Sequence, residues 1–244
     1  MISSLVAAHT DVWVYLATSP LFWLTMTFLA YLVADRLSQL SGRHPLVNLV
    51  AVAATLIILL LKATGTSYET YFAGAQFIHF LLGPATVALA IPLYRNLERV
   101  RATALPILGS LLVGSVVAIV SAVLIAEWMG APHELIVSFA PKSVTAPIAM
   151  GLSEKIGGAP ILTAALVMAT GVFGAMILTP LMRLLRITDS AAIGMAAGLA
   201  SHGIGTARAL HVDATAGAFG GVAMGLNGAL TSMILPVLLH WLGL

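Results

Sequence analysis

The chain has 244 residues, 60% of them hydrophobic and 8% charged, with a formal net charge of +2. A soluble domain carries about 25% charged residues, so the solvent for most of this surface must be lipid, and no basic surface for nucleic acid is present. There are no cysteines, which excludes disulfides and thiolate chemistry.

Residues 1–13 lack the positively charged start of a secretory signal, so the first hydrophobic stretch is expected to remain as a span. Charged residues are then absent from 12–34, 44–61, 70–94, 102–126, 156–182, 190–207 and 214–244. A helix crosses the hydrocarbon core with about 20 apolar residues, and most of these stretches qualify. The stretches 44–61 and 190–207 are short, and the second is rich in Gly and Ala rather than Leu.

The connections orient the chain. Arg36 and Arg43, then Arg95, Arg99 and Arg101, then Arg183 and Arg186 follow alternate stretches, whereas Lys62 with Glu69 and Glu127 with Glu134 mark the other connections. Arginine clusters belong in the cytoplasm, which predicts an external N-terminus and a cytoplasmic C-terminus. The number of crossings between Glu134 and Arg183 must be odd, and 156–182 supplies one. Residues 133–155 are therefore expected to enter and leave on one side, as a re-entrant or broken segment. Pro141, Pro147 and Pro160 agree, because proline removes a backbone donor and interrupts a helix. Two further interruptions are expected, at Gly83-Pro84 within 70–94 and in the glycine-rich run 194–205, which contains Gly203 and Gly205. The resulting architecture is an all-α integral membrane protein of about seven spans plus the re-entrant segment. It forms one transmembrane domain over 1–244. Inverted three-span repeats are expected, 44–61, 70–94 and 102–126 against 156–182, 190–211 and 214–244, each with an interrupted middle.

Most charges are explained by loops, but Lys142 and Arg208 are not. A cation at membrane depth is costly and marks function by default. Ser143 and Thr145 flank Lys142; Ser201, His202 and Thr206 precede Arg208. Hydroxyls, cations and the N–H groups of restarted helices together suit a carboxylate. Each residue also has a plainer reading. Lys142 can snorkel to the interface, Arg208 can end its span in a loop, and His202 can be a satisfied core histidine. His79 and Asn227 can serve packing or hydrogen bonding between spans. No GxSxG, HExxH or carboxylate pair at depth points to an enzyme, and the scattered histidines give no metal site and call for no cofactor.

The strings LGPATVALAIPLY at 82–94, PKSVTAPIAM at 141–150 and ASHGIGTARA at 200–209 resemble the LrgB/CidB family, nearest its YohK branch. The resemblance runs from about Leu21 to the C-terminus. It implies a multi-pass protein of the bacterial inner membrane with one of two rival functions. One is secondary transport of small carboxylates such as glycolate, glycerate or pyruvate-like acids, as in the plastid glycolate/glycerate transporter that contains an LrgB half. The other is a holin/antiholin-like role in murein hydrolase control and lysis. A third possibility is a structural subunit of a two-protein complex. The implied partners are the bilayer, a small LrgA/CidA-type membrane protein and further copies of the chain. A holin-like pore has no need of cations beside broken helices, which makes carboxylate transport the expected function, with Lys142 and Arg208 clasping one anion near the midplane.

Overall fold

The computed structural model describes residues 19–81, 84, 87, 88 and 90–244, which contain helices and no strand. The chain forms two compact units, Met1–Ala88 and Leu89–Leu244.

In the first unit, α1 (Pro20–Leu40) starts on a proline whose missing N–H is no loss at a helix start. Asn48 caps α2 (Leu49–Thr64) by accepting from the Ala51 N–H at 3.0 Å, and Gly65 ends it in a left-handed conformation. α3 (Tyr68–Phe80) packs on α1. Gly74 permits this, because a side chain there would strike the Pro20 carbonyl. Trp23 is completely buried and meets Tyr71 edge-on at 5.9 Å. His79 lies in the last turn of α3, with its side chain outside what is described. Gly83 lies outside the described residues, and Pro84 is helical and exposed.

The second unit comprises α4 (Ala90–Arg95), α5 (Leu97–Ala102), α6 (Ala104–Trp128), α7 (His133–Phe139), α8 (Ala146–Lys155), α9 (Pro160–Leu184), α10 (Ser190–Leu210) and α11 (Ala214–Leu242). Among the described residues, α1, α6, α9 and α11 are long and apolar enough to cross a bilayer, and α2 is a shorter apolar helix. α6 and α11 run parallel. Ile107 clusters with Phe219 and Val222, Ser115 meets Asn227, and Ile119 and Val123 cluster with Leu235 and Leu239. α9 runs the other way, with Thr163 beside α7 and Leu178 and Met182 in one cluster with Ala216.

Between these helices lie two hairpins that enter from opposite ends. α7 and α8 form the first. Ser138 and Ser153 both bond the start of α9, through Thr163 at 3.0 and 2.7 Å, while the link 140–145 reaches the middle of α11 at Asn227. This is the excursion expected for 133–155. Pro141 is buried in the link, and Pro147 sits in the first turn of α8, starting that helix rather than breaking one.

α10 is the second hairpin, and here the expected crossing is corrected. Its helical geometry fails at Ser201 (φ −132°, ψ 17°) and His202 (φ 42°, ψ −133°). The arm 203–210 then folds back along 190–200. A side chain on Gly205 would strike the Ala197 carbonyl, and Gly198 and Thr206, from opposite arms, both meet Gly220. Ser190, at the start of the hairpin, and Asp213, just after it, are hydrogen bonded. α10 therefore begins and ends at one end of the unit. Three consequences correct the expectations. The second three-span repeat is not a set of three crossings. The seven-span count loses one. α11 ends beside Ala126 and Ala131, at the Glu127–Glu134 end of the unit, not beside Arg183. What recurs instead is a long helix followed by a hairpin, α6 with α7–α8 and α9 with α10, in opposite directions. Gly203 and Gly205 are likewise not the breaking residues. Both lie in the returning arm, and the positive φ falls on His202.

The unit encloses a group of polar side chains within an apolar core and is apolar outside as well. Ser115, Ser143, Ser201, His202, Thr206, Asn227 and Thr231 are buried, whereas Leu105, Val113, Ile161, Phe173, Met233 and Val237 are exposed. An apolar exterior around an enclosed polar group suits a lipid-facing surface and an interior polar site.

Candidate functional site

The two hairpin tips meet at mid-depth of the long helices. α7 and the arm 190–200 end at the tips, where the Phe139, Ser138 and Leu199 carbonyls accept from Lys142 N–H, Thr163 and Asn227; α8 and the arm 203–210 start there. The middle of the unit thus holds both signs of helix-end charge.

Asn227 ties the tips together. Its Nδ2 donates to the Leu199 carbonyl at 3.1 Å and the Ser143 carbonyl at 3.3 Å. Its Oδ1 accepts from Ser115 Oγ at 2.6 Å and Thr231 Oγ1 at 3.3 Å. Four segments, α6, the first tip, the second tip and α11, are thereby joined through one amide that is 1% exposed.

Ser201 and His202 face α9. Gly171 and Gly174 leave room for them, and a side chain at either position would collide. His202 Nε2 donates to the Val167 carbonyl at 3.0 Å, and Thr206 Oγ1 donates to the His202 carbonyl at 2.8 Å. A non-glycine residue in this backbone region costs about 1–3 kcal/mol and persists only where its surroundings hold it. These two bonds, with the packing on Gly171, are what hold it.

Lys142 is half-buried at the first tip, with Nζ 3.4 Å from Ser143 Oγ and over the Phe139 ring at 5.6 Å. Among the described residues no carboxylate pairs with it. Thr145 is the residue before α8, and its hydroxyl makes no capping bond. Arg208 is half-buried too, but its Nη2 donates to Thr179 Oγ1 at 3.1 Å. Thr179 lies twelve residues beyond Val167 on α9, about 18 Å along the axis. The first tip and His202 both sit at the level of Val167. The structure therefore gathers Ser143, Ser201, His202, Thr206 and Asn227 around the tips, with Lys142 at their edge. It carries Arg208 towards the base of the second hairpin. One small anion does not touch both cations in this conformation, so the expected clasp is corrected.

Beside the second hairpin runs a cavity of about 540 Å³ between α6 and the arm 190–200, bordered by Thr103, Ile107, Gly114, Asp189, Met195 and Leu199. It extends from the hairpin base to the tip. The base carries an ion pair, Arg99 with Asp189 at 3.1 Å, and Arg99 also lies over Phe219 at 5.8 Å. Among the described residues no three His, Cys, Asp or Glu side chains form a metal-binding group.

Ser115, Thr231 and the Leu199 carbonyl join the site without having been singled out from the sequence. α6 contains Ser110, Ser115 and Ser121, and only packing selects the middle one. An isolated asparagine in an apolar span was the visible signal.

Fold and site define a multi-pass, all-helical membrane protein with two opposed broken hairpins around a buried polar centre. The chain matches the LrgB-like family over residues 27–241 and belongs to that family. It is 40% identical to the uncharacterized protein YxaC of Bacillus subtilis over 220 residues, 89% of this chain and 94% of that one. It is 33% identical to the holin-like protein CidB of Staphylococcus aureus over 219 residues, 90% and 95% of the two chains. The holin-like protein CidB of Staphylococcus epidermidis is 32% identical over 214 residues, 88% and 93% of the two. No solved structure matches the chain.

Proposed function

We propose that this protein is a holin-like membrane protein that controls permeability of the bacterial inner membrane, and through it murein hydrolase activity and lysis. What carries this reading is kinship along nearly the whole chain with proteins named holin-like. The names of the relatives do not speak for carboxylates.

A second reading, secondary transport of small carboxylates, is favoured by one observation: the two hairpin tips meet at mid-depth beside Lys142, which has no carboxylate partner among the described residues. Restarted helices, hydroxyls and one ammonium suit a small hydroxy acid better than an open lesion does. In this reading Lys142, Ser143, Thr145, Ser201, His202 and Thr206 bind the anion at the tips. Arg208 meets it nearer the base, on entry or exit. His202 contributes a titratable Nδ1, since Nε2 is committed to Val167.

The membrane arrangement follows from charge. With Arg95, Arg99, Arg101, Arg183 and Arg186 cytoplasmic, the first hairpin is re-entrant from outside and the second from inside. The C-terminus is then external, opposite to the expectation that counted α10 as a crossing. A small LrgA/CidA-type protein and further copies of the chain are the proposed partners.

Purified protein in liposomes separates the two readings. The holin-like reading expects leakage of unrelated dyes and sugars. The carrier reading expects saturable glycolate or glycerate uptake without leakage, lost in Lys142→Ala and reduced in Arg208→Ala. Tight liposomes that take up no carboxylate, alone or with the small partner, overturn both.

A further inference from the structure

The breaks in the two hairpins leave backbone carbonyls at mid-depth, and Asn227 stands between two of them. The Leu199 and Ser143 carbonyl oxygens lie 3.1 and 3.3 Å from its Nδ2. The Leu199 carbonyl belongs to the end of the incoming arm 190–200, where helix-end charge is negative, and the Ser143 carbonyl to the non-helical link 140–145. In this conformation the two amide N–H bonds supply the positive partner that these carbonyls require.

The other side of the amide is built differently. Oδ1 is held by Ser115 and Thr231 hydroxyls, and a hydroxyl can donate or accept, whereas a carbonyl can only accept. If the amide turns over, Ser115 and Thr231 accept from Nδ2. Each hydroxyl then donates its own proton to a carbonyl one turn earlier in its helix, as Ser and Thr in apolar helices do. They stay satisfied. Oδ1 now faces the Leu199 and Ser143 carbonyls, and three oxygens converge with no proton among them. Buried acceptors left so are costly, and a cation removes the cost.

We propose that the Asn227 side-chain oxygen and the carbonyls of Ser143 and Leu199 form a binding site for an alkali-metal cation, Na⁺ by preference, which the amide closes when it is turned as seen here. Three observations support that ligand class. The ligands are all hard oxygens, two of them backbone carbonyls at helix breaks, the type that coordinates Na⁺ in interrupted spans, and the third a side-chain amide oxygen. Oxygens held about 2.3–2.6 Å from a cation of this size sit roughly 3.2–3.7 Å apart at right angles. The 3.1 and 3.3 Å spacings already present approach that separation. Among the described residues no carboxylate enters the site, and the desolvation cost of a divalent ion without a counter-charge is several times that of a monovalent one. The ammonium of Lys142, bonded to the Ser143 hydroxyl, lies beside the site and weakens it. The proposal does not depend on either function above, because the cation is bound in the absence of any transported solute.

The test uses the full chain in detergent, with no carboxylate added, and follows thermal unfolding by tryptophan fluorescence. NaCl replaces choline chloride at constant ionic strength, so that only specific binding raises the melting temperature. A saturable rise with Na⁺, larger than with K⁺, is expected. Asn227→Asp keeps the shape and adds a negative charge, and is expected to lower the half-saturating Na⁺ by about tenfold. Lys142→Ala, which leaves Asn227 intact should the first variant not fold, is expected to lower it in the same direction. No Na⁺-specific rise in the wild type, or half-saturation unmoved by the variants that fold, overturns the site.

Discussion

Gly205 lies against the carbonyl of Ala197, eight residues before it on the same helix. In an unbroken helix that separation is about 12 Å, so the contact requires the chain to reverse at Ser201–His202. A bulky side chain at 205 must push the two arms apart. Gly205→Leu is expected to destabilise the protein by about 1–3 kcal/mol, the usual range for overpacking. Gly203→Ala is the control, since a Cβ there meets only Met224 Sδ at 3.7 Å. Thermal unfolding in detergent reads both, and equal losses would mean that the arms are not packed as described.

The reversal also sets which ends of the unit share a side. His133 at the start of α7 and Leu244 at the chain end belong to one end, Leu185 to the other. The sequence has no cysteine, so single substitutions report cleanly. A membrane-impermeant maleimide applied to intact cells is expected to label His133→Cys and Leu244→Cys alike and to spare Leu185→Cys. Labelling of Leu185→Cys together with Leu244→Cys would restore α10 as a crossing.

The two hairpins were not equally legible. For residues 133–155, the charges on either side fix the parity of crossings, and Pro141 and Pro147 mark where helix stops and starts. Residues 190–210 carry no charge before Arg208, have a span's length, and turn on Ser201 and His202 rather than on proline. Nothing local announces a reversal there, because it is made by contacts of Gly198, Gly205 and Gly220 that the sequence does not pair. Arg208 follows an uncharged stretch of a span's length, and in sequence that places it at membrane depth. Once the arm folds back, the same position falls near the hairpin base, beside Thr179.

The base of the second hairpin is expected to be acid-sensitive. Asp213 caps α11 and is held below the usual carboxylate range, first by the Ser190 hydroxyl and then by the Ala216 N–H. A folded-state pKa below the unfolded value of about 3.9 means that the folded state binds fewer protons. The stability this adds is complete above the unfolded value and is lost as pH falls through the folded one. Asp213→Asn keeps a capping oxygen and does not titrate. Below about pH 4 the wild type's melting temperature is expected to fall more steeply than the variant's. Glu69 is also held low, chiefly by a backbone hydrogen bond, and is common to both proteins. Parallel falls in the two would assign the acid sensitivity elsewhere.

His202 offers a test in which helix propensity and the break predict opposite signs. In a helix interior alanine is preferred to glycine by about 1 kcal/mol. At φ 42°, ψ −133° glycine is unstrained, while alanine bears the cost of about 1–3 kcal/mol that histidine bears now. Both substitutions lose the bond to Val167 and the packing on Gly171, so those losses cancel in the comparison. His202→Gly is therefore expected to unfold at a higher temperature than His202→Ala. Their order in the native membrane extract, read by the temperature at which each aggregates, decides between a broken tip and a continuous helix. If alanine proves the more stable, the tip is helical in the membrane, and the meeting of Leu199 and Ser143 at Asn227 loses its basis.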